Sequence, residues 1–153
     1  LFIILDIKQY IWYDDQEVAN MSNVYHGRGY VYSIQYHIVW CVKYRHRVLN
    51  NKIETTCKEL LYDIAKKYKF TIITMENDTD HIHLLIECTP QHYIPDIIKW
   101  LKGISARKLF LKHPELKKRL WGGHLWNPSY FIATVSENTE SQIKEYINNQ
   151  KTK

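Results

Sequence analysis

Cysteine is scarce in this chain, and long uninterrupted apolar runs and repeated segments are missing altogether. The three cysteines, Cys41, Cys57 and Cys88, form an odd set without C-x-x-C spacing. That argues against a disulfide framework and for a reducing compartment, so a cytoplasmic protein is expected. The apolar N-terminal stretch L-F-I-I-L-D-I-K-Q-Y-I-W is broken by Asp6 and Lys8 and falls far short of a membrane span. It also lacks the basic start and the small-residue cleavage site of a signal peptide. Neither an anchor nor an export signal is expected, and no membrane partner. The first residue is Leu1 rather than methionine, and the charge changes sign at Met21. Residues 1–20 are therefore expected to be a non-native or upstream extension, and residues 21–153 a single domain.

What is present is enough for one core. A chain of 153 residues with 45% hydrophobic composition can bury one good core and is too short for two ordinary domains. The net charge is +5; the first twenty residues carry −3, so the remainder carries +8. That balance favours a polyanionic partner such as nucleic acid.

Periodicity gives the elements. From Val31 to Cys41 the residues alternate, with Tyr32, Ile34, Tyr36, Ile38 and Trp40 on one face and Ser33, Gln35 and His37 on the other, the pattern of a half-buried strand. Ile53, Cys57, Leu60, Leu61, Ile64, Ala65 and Tyr68 recur at steps of three and four, an amphipathic helix. The runs 70–76 and 81–88 flank the turn formers N-D-T-D and predict a β-hairpin. A second helix is predicted from about Tyr93 to Lys112, with Pro95 in its first turn, and P-S-Y-F-I-A-T-V predicts a fourth strand. Thr139 and Gln142 form a capping-box start for a last helix. The order β-α-β-β-α-β predicts an α+β fold, the ferredoxin-like split βαβ, with helices on one face of an antiparallel sheet and the other face open.

Within the third predicted strand, His81 and His83 are two apart and share the open face with Leu85 and Glu87. Two imidazoles so placed can chelate one divalent ion and leave it open coordination positions. A solvated strand face gives the same spacing. In the last helix Tyr146 and Gln150 are four apart, so a phenol and an amide oxygen project side by side.

The combination of Y-H-I-V-W-C-V-K-Y-R, D-H-I-H-L-L-I, a basic helix, L-W-N-P-S-Y-F-I-A-T-V and Y-I-N-N-Q, in this order from Met21 to Gln150, resembles the single-tyrosine HUH transposases of small insertion sequences that move as single-stranded DNA. The resemblance implies an RRM-like sheet domain whose C-terminal helix carries the catalytic tyrosine. It implies that His81, His83 and Gln150 are metal ligands for Mg²⁺ or Mn²⁺, and that Tyr146 is the nucleophile forming a 5′-phosphotyrosine. It further implies single-stranded DNA with subterminal hairpins as partner, and a homodimer in which each site joins the His pair of one subunit to the Tyr146 helix of the other. One departure bears on that exchange, since Ser136-Glu137 stand where the family commonly has a glycine linker.

Candidate DNA contacts are Arg45 and Arg47 after the first strand, Lys99, Lys102 and Arg107 off the second helix's apolar stripe, and Lys117, Lys118 and Arg119 beside Trp121. Gly103, between Lys102 and Arg107, suggests either close approach of a phosphate or a partner backbone or simply a tolerated glycine. His37, His92 and His124 lack partners at ligand spacing and are expected to be structural. Two other functions stay open: an HUH nickase that mobilises no element, and a non-catalytic RRM-like nucleic-acid binder with no need of Tyr146.

Overall fold

The structure, a computed structural model, describes residues 24–135, so residues 1–20, Ser136-Glu137 and the expected last helix with Tyr146 and Gln150 lie outside the described residues. The chain divides into two compact units, residues 34–135 and the remainder.

In the remainder, β1 (Tyr25–Gly27) and β2 (Tyr30–Tyr32) pair antiparallel. Gly29 at φ +83° makes the turn, and a Cβ on Gly27 would run into the Tyr30 ring. Tyr25 stacks on Tyr32 at 5.6 Å between ring centroids. The single strand predicted from Val31 to Cys41 is thus interrupted at Ser33, because its first residues pair in this small hairpin and only the rest joins the main sheet.

Residues 34–135 carry β3 (Ile34–Cys41), α1 (Asn51–Tyr68), β4 (Thr71–Asn77), β5 (His81–Cys88), α2 (Ile94–Lys99), α3 (Ser105–Lys112), α4 (Leu116–Arg119) and β6 (Phe131–Thr134). The antiparallel sheet runs β4-β5-β3-β6, the strand order of the split βαβ fold. Strand alternation sends Ile38, Trp40, Ile72, Ile82, Leu84 and Ile86 into one core with Leu60, Leu61 and Ile64 of α1, Ile97 of α2 and Leu101. Trp40 meets Trp126 edge to face at 5.8 Å, and the Trp126 indole N–H donates to Ser105 Oγ at 2.9 Å.

Two expectations are modified. The face predicted to be open is a second buried layer, since Gln35, His37, Val39, Cys41, His83 and Leu85 are all buried. The predicted second helix is not uniform: between α2 and α3 residues Trp100–Ile104 widen to π geometry around Gly103. A Cβ on Gly103 would meet nothing within 4 Å, so among the described residues the glycine answers to no crowding.

Candidate active site

β5 lies between β3 and β4, so its side chains on the second face have neighbours on both sides. Register places Cys41 opposite His81, and Val39 and Glu76 opposite His83. His81 and His83 alternate along one strand and therefore share that face. They are held differently. His81 Nδ1 bonds to Asp80 Oδ1 at 2.8 Å, whereas His83 Nε2 lies 3.0 Å from His37 Nδ1 and its Nδ1 lies 3.7 Å from Glu76 Oε2.

Asp80 is itself gripped. Its Oδ2 accepts from Arg45 Nε at 3.1 Å and from Arg45 Nη2 at 3.0 Å. Burial pushes the Asp80 carboxyl up, but the hydrogen bond to His81 and the adjacent Arg45 guanidinium outweigh it and hold the group below the usual carboxylate range. Arg45, an exposed residue, reaches Asp80 from a short 3₁₀ turn, Lys43–Arg45, in which Tyr44 and Arg45 have φ of 56° and 55°. Non-glycine residues in that left-handed region cost about 1–2 kcal/mol each, and the surrounding contacts must over-determine them.

Ligand-capable atoms of Asp78, Asp80 and His81 all lie within 4.8 Å of one another. Carboxylates with imidazole suit a divalent cation such as Mn²⁺, but both Asp80 oxygens are committed to His81 and Arg45, so Asp80 supports a ligand here, and His83 lies outside this cluster. With Nδ1–H given to a carboxylate, the His81 lone pair resides on Nε2, the usual arrangement of a metal-binding histidine.

The basic residues divide. Lys102 is turned inward, its ammonium donating to the carbonyls of Asn127, Pro128 and Ser129 at 2.7, 3.0 and 3.2 Å. Burial lowers its pKa. Arg47, Lys117, Lys118 and Arg119 are exposed, as is Trp121. Lys99 and Arg107 line an open groove of about 470 Å³ in the helix layer with Lys67 and Lys108. At its floor Tyr68 and Trp100 stack at 3.9 Å with planes 6° apart.

Sequence reading missed His37 as a neighbour of His83. Part of the signal was available, since His37 lies on the polar face of the first strand and the split βαβ order puts that strand beside the third; the register that brings the two rings together was not. His92 is structural as expected, accepting from the Thr89 backbone N–H at 3.0 Å and bonding the Tyr68 carbonyl through Nε2 at 2.8 Å.

Fold and donors together define a ferredoxin-like α+β domain with a histidine-bearing central strand and metal-compatible side chains at its head. Residues 30–150 match the family described as "Transposase IS200 like". The chain belongs to this family of transposases. It is 56% identical over 124 residues to the ISDra2 transposase TnpA of Deinococcus radiodurans, covering 81% of this chain and 89% of that one. It is 29% identical over 119 residues to the transposase of insertion sequence IS200 from Salmonella typhimurium, covering 78% of each. Among solved structures, a candidate transposase from Deinococcus radiodurans superposes with a TM-score of 0.70 at 50% identity, covering 82% of this chain and 97% of the other. A REP-associated tyrosine transposase bound to a REP hairpin has the same fold, with a TM-score of 0.52 at 15% identity over 84% of this chain and 73% of that one. No helix among the described residues is long and apolar enough to cross a membrane.

Proposed function

We propose that residues 21–153 act as one cytoplasmic domain, a tyrosine transposase that cuts and rejoins single-stranded DNA at hairpin-bearing element ends. The observation that carries this reading is the imidazole pair on one face of β5, with Asp80 bonded to His81; His83, whose Nε2 is bonded to His37, would exchange that bond for the cation. In this reading His81, His83 and Gln150 hold a divalent cation, Mg²⁺ or Mn²⁺, and imidazole ligation favours Mn²⁺. Such an ion, when bound, draws charge from a phosphodiester and so eases nucleophilic attack.

Tyr146 supplies the nucleophile. Its phenolate oxygen bonds to phosphorus, the P–O3′ bond breaks, the 3′ oxygen takes up a proton, and the 5′ end remains as a phosphotyrosine. Attack by another 3′-hydroxyl reverses these bonds and releases the phenol, so strands are joined without ATP. Exposed Arg47, Lys99 and Arg107, with the Tyr68–Trp100 stack between basic rims, suit a DNA backbone and unpaired bases. The protein acts as a homodimer with composite sites, each His pair served by the partner's Tyr146.

The test is covalent capture of a 3′-labelled hairpin with a single-stranded flank, since the fragment held as the 5′-phosphotyrosine is the one that keeps the 3′ end. Tyr146→Phe abolishes the adduct while hairpin binding persists, and His83→Ala does the same. A mixed dimer of Tyr146→Phe with His81→Ala/His83→Ala chains regains cleavage. An adduct formed by Tyr146→Phe would sink the nucleophile assignment, and inactive mixed dimers would sink the composite site. Hairpin binding with no cleavage by the wild-type protein in Mn²⁺ would favour a non-catalytic binder.

A further inference from the structure

We propose that Arg45 and Asp80 form a brace that fixes the ring orientation and tautomer of His81, so that Arg45 serves metal binding rather than DNA contact. The inference rests on the metal reading above and assigns a positioning role to two side chains outside its ligand set. A carboxylate beside a histidine in sequence would ordinarily rotate. Here rotation is blocked from both sides, with Oδ1 on His81 Nδ1 at 2.8 Å and Oδ2 on Arg45 Nε and Nη2 at 3.1 and 3.0 Å. The main chain is pinned as well: Val42 N–H donates to the Asp80 carbonyl at 2.8 Å, and Leu49 N–H to that of Thr79 at 2.9 Å.

The backbone that delivers Arg45 is equally committed. Two successive left-handed residues, Tyr44 and Arg45, turn the segment back on itself, and it is held there by Arg45 N–H to the Val42 carbonyl at 2.9 Å and Lys43 N–H to the Leu125 carbonyl at 2.8 Å. A surface arginine kept for a phosphate needs no such turn. Two guanidinium donors converge on one carboxylate oxygen, a geometry that a lysine ammonium does not reproduce. With Nδ1–H committed to Asp80, the His81 lone pair stays on Nε2, and a cation meets the binding tautomer without a ring flip.

The experiment uses the full chain and three readouts: ¹⁵N NMR of the His81 tautomer without metal, Mn²⁺ titration without DNA, and binding of a DNA hairpin as a function of salt. In the wild type His81 is the Nδ1–H tautomer. Arg45→Ala, a change on a surface turn, should mix the tautomers and raise the Mn²⁺ dissociation constant about tenfold, with hairpin affinity and its salt slope unchanged. Asp80→Ala should do at least as much, and Asp80→Asn, whose single acceptor oxygen is claimed by Arg45 so that its amide N–H faces Nδ1, should shift His81 toward the Nε2–H tautomer. An unchanged tautomer and Mn²⁺ constant in Arg45→Ala overturn the brace. So does weaker hairpin binding with the salt slope reduced by about 1, the mark of a lost phosphate contact. A wild type that holds the tautomer yet binds no Mn²⁺ overturns the metal reading and the brace's purpose with it; Mn²⁺ binding indifferent to Arg45 overturns the brace alone.

Discussion

The two faces of the sheet are both buried but built on different rules. Toward the helices β3 and β5 present Ile38, Trp40, Ile82, Leu84 and Ile86, which join one continuous apolar core. On the other face the same strands present Gln35, His37, His83 and Leu85, a layer in which polar groups are buried in pairs: Gln35 donates to Glu87 Oε2 at 3.0 Å, and His37 meets His83. Burial alone therefore does not mark a core. An apolar face tolerates repacking that keeps its volume, whereas a polar face must satisfy its donors and acceptors, which fixes ring orientation as a by-product.

Three changes would break or sharpen that contrast. The largest effect is expected from Trp40→Ala on the helix side, about 3–5 kcal/mol, read as a fall in the urea midpoint; a loss under 1 kcal/mol would mean the core closes over the gap. Next comes Leu85→Ala, fully buried on the histidine side. If that face is a packed layer, the cost is about 2–4 kcal/mol; an effect within about 0.5 kcal/mol would return it to a solvated surface. The smallest concerns Cys57 of α1, whose thiol burial pushes up to about 12. A raised folded pKa contributes stability that is complete below the unfolded value, about 8.5, and is lost as pH rises toward the folded one. Wild-type stability should thus fall by about 2 kcal/mol more than that of Cys57→Ala between pH 8 and pH 10. Equal pH slopes for the two proteins would count against a buried thiol.

The helix-side face was legible in the sequence because it is periodic. Stripes at Cys57, Leu60, Leu61 and Ile64 and alternation through Ile38 and Trp40 follow from local geometry, and the fold order follows from them. What escaped was relational. The His37–His83 contact depends on cross-strand register, which no local pattern states. Arg45 and Lys102 read as surface charge, yet their direction depends on the φ values of Tyr44 and Arg45 and on three carbonyls some 25 residues downstream of Lys102. The Ser33 break depended on a competing partner, Tyr25–Gly27, for the strand's first residues. Tyr146 and Gln150 rest on resemblance alone, since they lie outside the described residues.

The turn that carries Asp78, Thr79 and Asp80 is stitched to Val42 and Leu49 rather than left as a hairpin tip. These bonds close loops of more than thirty and about thirty residues, whose entropy must be met before they form. A β4–β5 hairpin that forms early in folding thus has its histidines in sequence but not in place. Asp80 meets Arg45 only when the β3–α1 junction arrives, so protection of the Val42 and Leu49 amides from solvent exchange reports a late step of folding.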